Sequence, residues 1–187
     1  MKGLKLFIIS GGPGTGKTSI INEFSKKFKV FPEAAREVGN NDPRFMGKSV
    51  KEINPYDFQR AIFDFQKNEF NKIKEKNHKI LFSDRGFGDT LAYYEFHNLK
   101  IPKDEFDYAR KFRCSKIFIL DFLNFYEKDA LRQENNKEQK KIHELIITMY
   151  QKLGYKPIIV PFMSILERVN FVLSKINKSK RQLNKQE

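Results

Sequence analysis

The chain has no tryptophan, one cysteine, and far fewer acidic than basic residues. It also lacks any run of eighteen apolar residues, which excludes a membrane-spanning helix. With Cys114 as the only cysteine no internal disulfide can form, and a reducing, cytoplasmic setting is expected. Next to the apolar stretch Lys116–Leu120, Cys114 reads as a small buried filler rather than a nucleophile. The apolar residues after Met1-Lys2-Gly3 are too few for a secretory signal, and they lead into a loop that the chemistry needs. The scarcity of acids leaves a net charge of +13, of which Ser174–Glu187 holds +4. The remainder is spread along helices as lysine, not gathered as arginine with interleaved aromatics. It reads as a solvated covering that favours anionic small molecules, and nucleic acid is not the expected partner.

What is present suits one α/β domain. There are 187 residues, 40% of them hydrophobic, and the 19 Phe and 7 Tyr supply a core. Domain limits of about 1–177 are expected, with a basic flexible tail over 178–187. The organising stretch is the apolar run from Leu4 to Ser10 followed by Gly11-Gly12-Pro13-Gly14-Thr15-Gly16-Lys17-Thr18-Ser19. Gly11 to Thr18 meets every fixed position of G-x-x-x-x-G-K-[ST]. The glycines allow successive main-chain N–H groups to turn inward around an anion, and a helix opening near Gly16 adds its free N–H groups and positive dipole end. Lys17 is placed to reach the β- and γ-phosphates, and the Thr18 hydroxyl to ligate Mg²⁺. The pattern predicts an NTP site. ATP and GTP remain equally open, because no N-K-x-D base motif occurs.

The remaining elements follow by periodicity. Ile20, Ile21, Phe24 and Phe28 place a helix over 16–28, and Lys29–Phe31 is a short strand running into Pro32-Glu33. Glu33, Arg36 and Glu37 share a helical turn; a charged helix start accounts for Glu33 as readily as function does. Gly39–Asn54 reads as a mobile loop. Asn54 caps a long helix with Pro55 at its first position. Phe58, Ile62, Phe65, Glu69 and Ile73 form its stripe, and Gln59 and Gln66 flank it, facing a possible acceptor pocket. The strand 79–84 closes on Asp84, a Walker B pattern that gains weight from the loop before it and from Arg85-Gly86 after it. Helices over 88–97 and 103–112, and a strand over 116–121, come next. The charge-dense segment 124–139, with Lys128, Arg132 and Lys137, sits where P-loop kinases carry a phosphate-covering lid. A helix to Leu153, a strand 157–160, and a helix opened by the capping box Ser164–Glu167 complete the chain. Five parallel strands with helices on both faces are predicted, in the order 2-3-1-4-5 by analogy with kinases of this class.

Gly11–Thr18, Phe31–Glu37, Asp84-Arg85-Gly86 with Asp89–Tyr93, Lys128-Asp129 with Arg132-Gln133-Glu134, Leu153-Gly154-Tyr155 and Glu167-Arg168-Val169 resemble one known family. It is the P-loop "AAA domain" family that includes the nicotinamide riboside kinase domain of bacterial NAD-metabolism proteins. The likeness runs from about Leu4 to Ile176, and the Pro-Glu and Asp-Arg elements are also similar to deoxynucleoside kinases. The resemblance implies an ATP- and Mg²⁺-dependent kinase acting on a hydroxyl of a nucleoside-like molecule. It implies Glu33 as base on that hydroxyl, Asp84 as the metal-assisting acid, Arg85 as the residue that positions acceptor and base, and Arg132 as the lid arginine. The segment carries a single arginine where related kinases often bring two or three, and no nucleotidylyltransferase or DNA-binding domain is expected within these 187 residues. A regulatory P-loop NTPase or switch, with Glu33 as a mere cap and the 40–51 loop docking a partner, is the alternative.

Overall fold

The computed structural model describes residues 5–73, 80–122 and 130–183, and within them the side chains of all but Val50, 130–136 and 177–183. A five-stranded parallel sheet in the order β2-β3-β1-β4-β5 forms its centre. The strands are β1 (Leu6–Ser10), β2 (Lys29–Phe31), β3 (Leu81–Asp84), β4 (Lys116–Leu120) and β5 (Ile158–Val160). β1 is buried at every residue, as a parallel strand covered on both faces must be. Its side chains alternate between two cores. Leu6 and Ile8 point into one with Phe63, Phe87, Leu91, Ile146 and Tyr150, while Phe7 and Ile9 point into the other with Ile20, Phe24, Phe82, Val172 and Ile176.

The second core is closed by α1 (Lys17–Ser25) and α7 (Ile165–Leu183). Phe24 of α1 stacks on Phe82 with ring centroids 4.0 Å apart, a contact adding about 0.5–1.5 kcal/mol beyond area burial. The first core is closed by α3 (Pro55–Asn71), α4 (Phe87–Phe96), α5 (Lys103–Lys111) and α6 (Ala130–Lys152). Cys114 packs against this core, and burial pushes its thiol up to about 12, consistent with an inert filler. Pairing of Ile9 with Asp84 and of Ser10 with Ile119 sets the ends of β1, β3 and β4 level, so the residues that follow each strand meet along one edge.

Several boundaries differ from those the pattern predicts. α1 ends at Ser25, because Lys27 and Phe28 N–H groups both close onto the Phe24 carbonyl in a tightening turn. The expected loop over Gly39–Asn54 is partly built: α2 (Ala34–Asn41) runs through Gly39, Phe45 is buried against Ala34, Val38, Ala61 and Ile62, and Ser49 and Glu52 cap a short 3-10 turn. The apolar stripe of α3 is wider than expected, since Phe63 and Phe70 face the main core while Ala61 and Ile62 face the small one. α6 begins at Ala130, so 130–139 is helical; Arg132 lies there with its side chain outside the described residues, as does all of Lys128. α7 runs past Asn177 to Leu183.

Candidate active site

The loop between β1 and α1 turns through Gly11 at φ 138°, where a Cβ would also lie 2.8 Å from the Leu120 carbonyl oxygen. Gly16, at φ 82°, is the N-cap of α1. Lys17 is not solvent-facing but buried, and its Nζ donates to the Gly12 carbonyl at 2.7 Å. Burial, with Arg85 nearby, lowers its pKa to about 8. The Thr15 hydroxyl also donates to the Gly12 carbonyl, at 2.9 Å, so the loop is braced from within. Three side chains brace it from outside. Arg85 donates to Gly11 O at 3.3 Å, His143 of α6 accepts from Gly12 N–H at 3.1 Å, and Arg168 of α7 donates to Thr15 O at 2.7 Å. Thr18 and Ser19 are exposed on the first turn of α1.

Beside the loop lies a network of charges. Glu33, at the N-cap of α2, makes no capping hydrogen bond; its carboxylate instead accepts from Arg85 Nε at 3.0 Å and lies 3.7 Å from Arg36. Arg85 follows β3 in the left-handed region at φ 69°, an uncommon conformation for a side-chain-bearing residue. Its Nη1 donates to Asp89 Oδ1 at 2.9 Å. Burial opposes the guanidinium charge, but Asp89, Tyr93 and Glu33 around it outweigh that and raise its pKa further.

Asp89 is the hub. Oδ1 accepts from Ser10 Oγ at 2.6 Å and from Arg85, and Oδ2 accepts from Tyr150 Oη at 2.7 Å and Gly86 N–H at 3.1 Å. With four donors its lone pairs are taken, leaving nothing for a metal or a proton to be shuttled. Gly88 has no side chain because the Tyr150 ring lies where a Cβ would come within 2.6 Å.

Asp84 is the opposite case. It is buried, and its Oδ1 has no hydrogen-bond partner among the described residues. Burial raises its pKa to about 6. An orphaned carboxylate oxygen on Asp84 and the exposed Thr18 hydroxyl on the first turn of α1 are hard oxygen donors of the kind that suits Mg²⁺. No group of three or more His, Cys, Asp or Glu that could hold a metal occurs among the described residues, so such an ion would need water or phosphate oxygens as further ligands.

Two clefts flank this edge. One, of about 210 Å³, is lined by Glu33, Arg85, Asp89 and Tyr93 together with Gln59 and Gln66 of α3. Both glutamines are buried, and Gln66 Oε1 accepts from Thr90 Oγ1 at 3.1 Å. The other, of about 360 Å³, opens beside Gly16 and Ser19 and is walled by Phe162, Ile165 and Arg168.

The AAA domain family matches residues 6–168, from the first residue of β1 to Arg168. The chain belongs to this AAA domain family. No curated protein matches the sequence. Among solved structures, thymidylate kinase from Ehrlichia chaffeensis aligns with TM-score 0.67 at 14% identity, covering 91% of this chain and 97% of that one. The NadR protein in complex with NR aligns at TM-score 0.63 and 19% identity over 92% of this chain, which spans 50% of that protein. Deoxyadenosine kinase from M. mycoides with bound dATP gives 0.59 at 16% identity, covering 92% and 99%. The fold of this AAA domain family member is that of the P-loop nucleoside and nucleotide kinases.

Of the residues singled out in the sequence, the loop Gly11–Ser19, Glu33, Asp84 and Arg85 come together on one sheet edge. Asp89, Tyr150, His143 and Arg168 also bear on the site without having been assigned roles. Two left a trace in the sequence: His143 stands between Ile142 and Ile146, and Arg168 stands next to Val169 and one turn before Val172, polar residues within or beside the apolar faces of their helices.

Proposed function

We propose that this chain transfers the γ-phosphoryl group of ATP, with GTP an alternative donor, to a hydroxyl of a nucleoside-like small molecule in the manner of nicotinamide riboside kinase. The observation that carries the reading is Glu33, which makes no capping hydrogen bond to its helix and is held by Arg85 in a cleft beside the phosphate loop. A carboxylate there can take the acceptor's proton as the acceptor oxygen bonds to the γ-phosphorus and the bond to the ADP oxygen breaks. Lys17 leaves the Gly12 carbonyl for the phosphates, and the loop N–H groups line the β-phosphate. Thr18 and Asp84 would hold Mg²⁺, which neutralises charge on the phosphates. The donor base fits the Phe162 cleft, and Gln59 and Gln66 offer amide groups to an acceptor base. Arg132 would cover the γ-phosphate from α6.

A panel of nucleosides and nucleotides, including nicotinamide riboside, deoxyadenosine and thymidylate, tests this with ATP·Mg²⁺ by thermal shift followed by ADP release. At least one acceptor should raise Tm together with the nucleotide and accelerate ADP formation. Acceptor-independent hydrolysis alone, across the panel, would favour the switch reading.

A further inference from the structure

A trans peptide is planar, and its C=O and N–H point in opposite directions. In a phosphate loop the direction of each carbonyl therefore decides whether the next N–H faces the anion or turns away. Glycine makes this choice soft, because a residue without Cβ crosses between positive and negative φ at little steric expense. The Thr15–Gly16 peptide is such a place, with Gly16 at φ 82° opening α1.

We propose that Arg168 is a positioning residue for the phosphate loop. By drawing the Thr15 carbonyl toward α7 it turns the Gly16 N–H to the phosphate. Arg168 as a residue is only 2% exposed, with Nη1 2.7 Å from Thr15 O and Nη2 3.3 Å from the carbonyl oxygen of Asp121, the residue just past β4. One rigid group thus ties the loop, the end of the neighbouring strand and the last helix. The Phe162 ring, 5.2 Å from the guanidinium carbon, covers it from the donor-base cleft. The Nε–H is buried without a hydrogen-bond partner among the described residues, a cost the side chain bears while keeping its grip on the two carbonyls. The fork of an arginine suits this task, whereas a lysine could reach one carbonyl at a time.

The loop shows the same device elsewhere. The Gly11–Gly12 peptide is held at both ends from outside, its carbonyl by Arg85 and its N–H by His143. The Gly12 carbonyl is held from within by Lys17 and Thr15. Arg168 does the same for the Thr15–Gly16 peptide at the mouth of the helix.

The proposal rests on the phosphate-site reading, and the test separates the two. Titration of the full chain with ATP·Mg²⁺, and with inorganic pyrophosphate in competition, compares wild type with Arg168→Met. Affinity for both should fall by the same factor, about tenfold or more, since the lost contact is a charge-assisted hydrogen bond that aligns a phosphate donor. Weaker ATP with unchanged pyrophosphate would mean Arg168 acts on the donor base through Phe162, and would overturn the proposal. A lower Tm with both affinities unchanged would overturn it as well, leaving a structural residue. Should Arg168→Met not fold, Arg168→Lys carries the comparison: a smaller, equal loss for both probes is expected, and wild-type affinities would overturn it. Wild type binding neither probe would remove the phosphate site itself, and the proposal with it.

Discussion

The phosphate loop and the cleft around Glu33 lie on the same sheet edge but are built in opposite ways. The loop's working groups are main-chain N–H groups within eight consecutive residues, with Lys17 and Thr18 as its main side-chain contributors. The cleft is assembled from side chains on α2, α3, α4 and the residue after β3, and its hub Asp89 is held by Ser10 of β1 and Tyr150 of α6. A main-chain site depends on backbone shape and survives many substitutions. A side-chain network in a low-dielectric interior stands or falls with each member, because any partner removed leaves a buried charge or donor unpaired.

Three experiments press on this contrast, and a fourth supplies a reference outside it. Lys17→Met should have the largest effect, abolishing ADP formation at saturating ATP while the circular dichroism spectrum is retained. Residual turnover near wild type would show that the loop does not need its one ammonium. Glu33→Gln keeps the size of the side chain and should lower acceptor phosphorylation by about 10²-fold, the scale of general-base catalysis, with ATP affinity unchanged in the same titration. If ATP affinity falls with it, the two regions are not separable. Tyr150→Phe deletes one of four donors to the Asp89 carboxylate and should cost about 2–3 kcal/mol in urea unfolding. Its kcat should fall less than that of Glu33→Gln, because Arg85 still reaches Asp89.

The smallest effect concerns an acid outside both regions. Glu105 of α5 is buried, its Oε1 accepting from Tyr94 Oη at 3.3 Å and lying 3.5 Å from Arg60. Burial lifts its pKa from 4.5 to about 7. Between those values the folded protein keeps a proton that the unfolded chain releases, so this group's contribution to stability falls as pH rises from about 4.5 to about 7 and is flat on either side. The difference between wild type and Glu105→Gln in unfolding free energy from urea titration should grow across that window, by on the order of 1 kcal/mol given the solvent-screened arginine partner. A pH-independent difference would contradict the assignment.

The parallel sheet and the phosphate loop were legible in the sequence, since they rest on apolar runs and fixed spacing, whereas the strand order β2-β3-β1-β4-β5 was reached only by analogy with P-loop kinases. Gln59 and Gln66, set on one side of α3 by their seven-residue separation, both line the cleft around Glu33. The reach of α2 through Gly39 was not legible, because the packing of Phe45 onto Val38 and Ile62 is a tertiary contact that overrides a Gly- and Asn-rich composition. Neither was the burial of Lys17, which depends on the Gly12 carbonyl turning back toward it.

What the sequence determined by itself is therefore whatever a few neighbouring residues can specify: a strand, a glycine turn, a helix start, and the anion site that their main chain makes. Tertiary structure alone decided which of two aspartates five positions apart could be free. Asp84 keeps an unpartnered oxygen at a strand end, whereas Asp89 is saturated by donors from β1, from α6 and from its own turn. Those donors lie 79, 61 and 3 residues away in the chain, and only the folded interior brings such distant groups within hydrogen-bonding distance of one carboxylate.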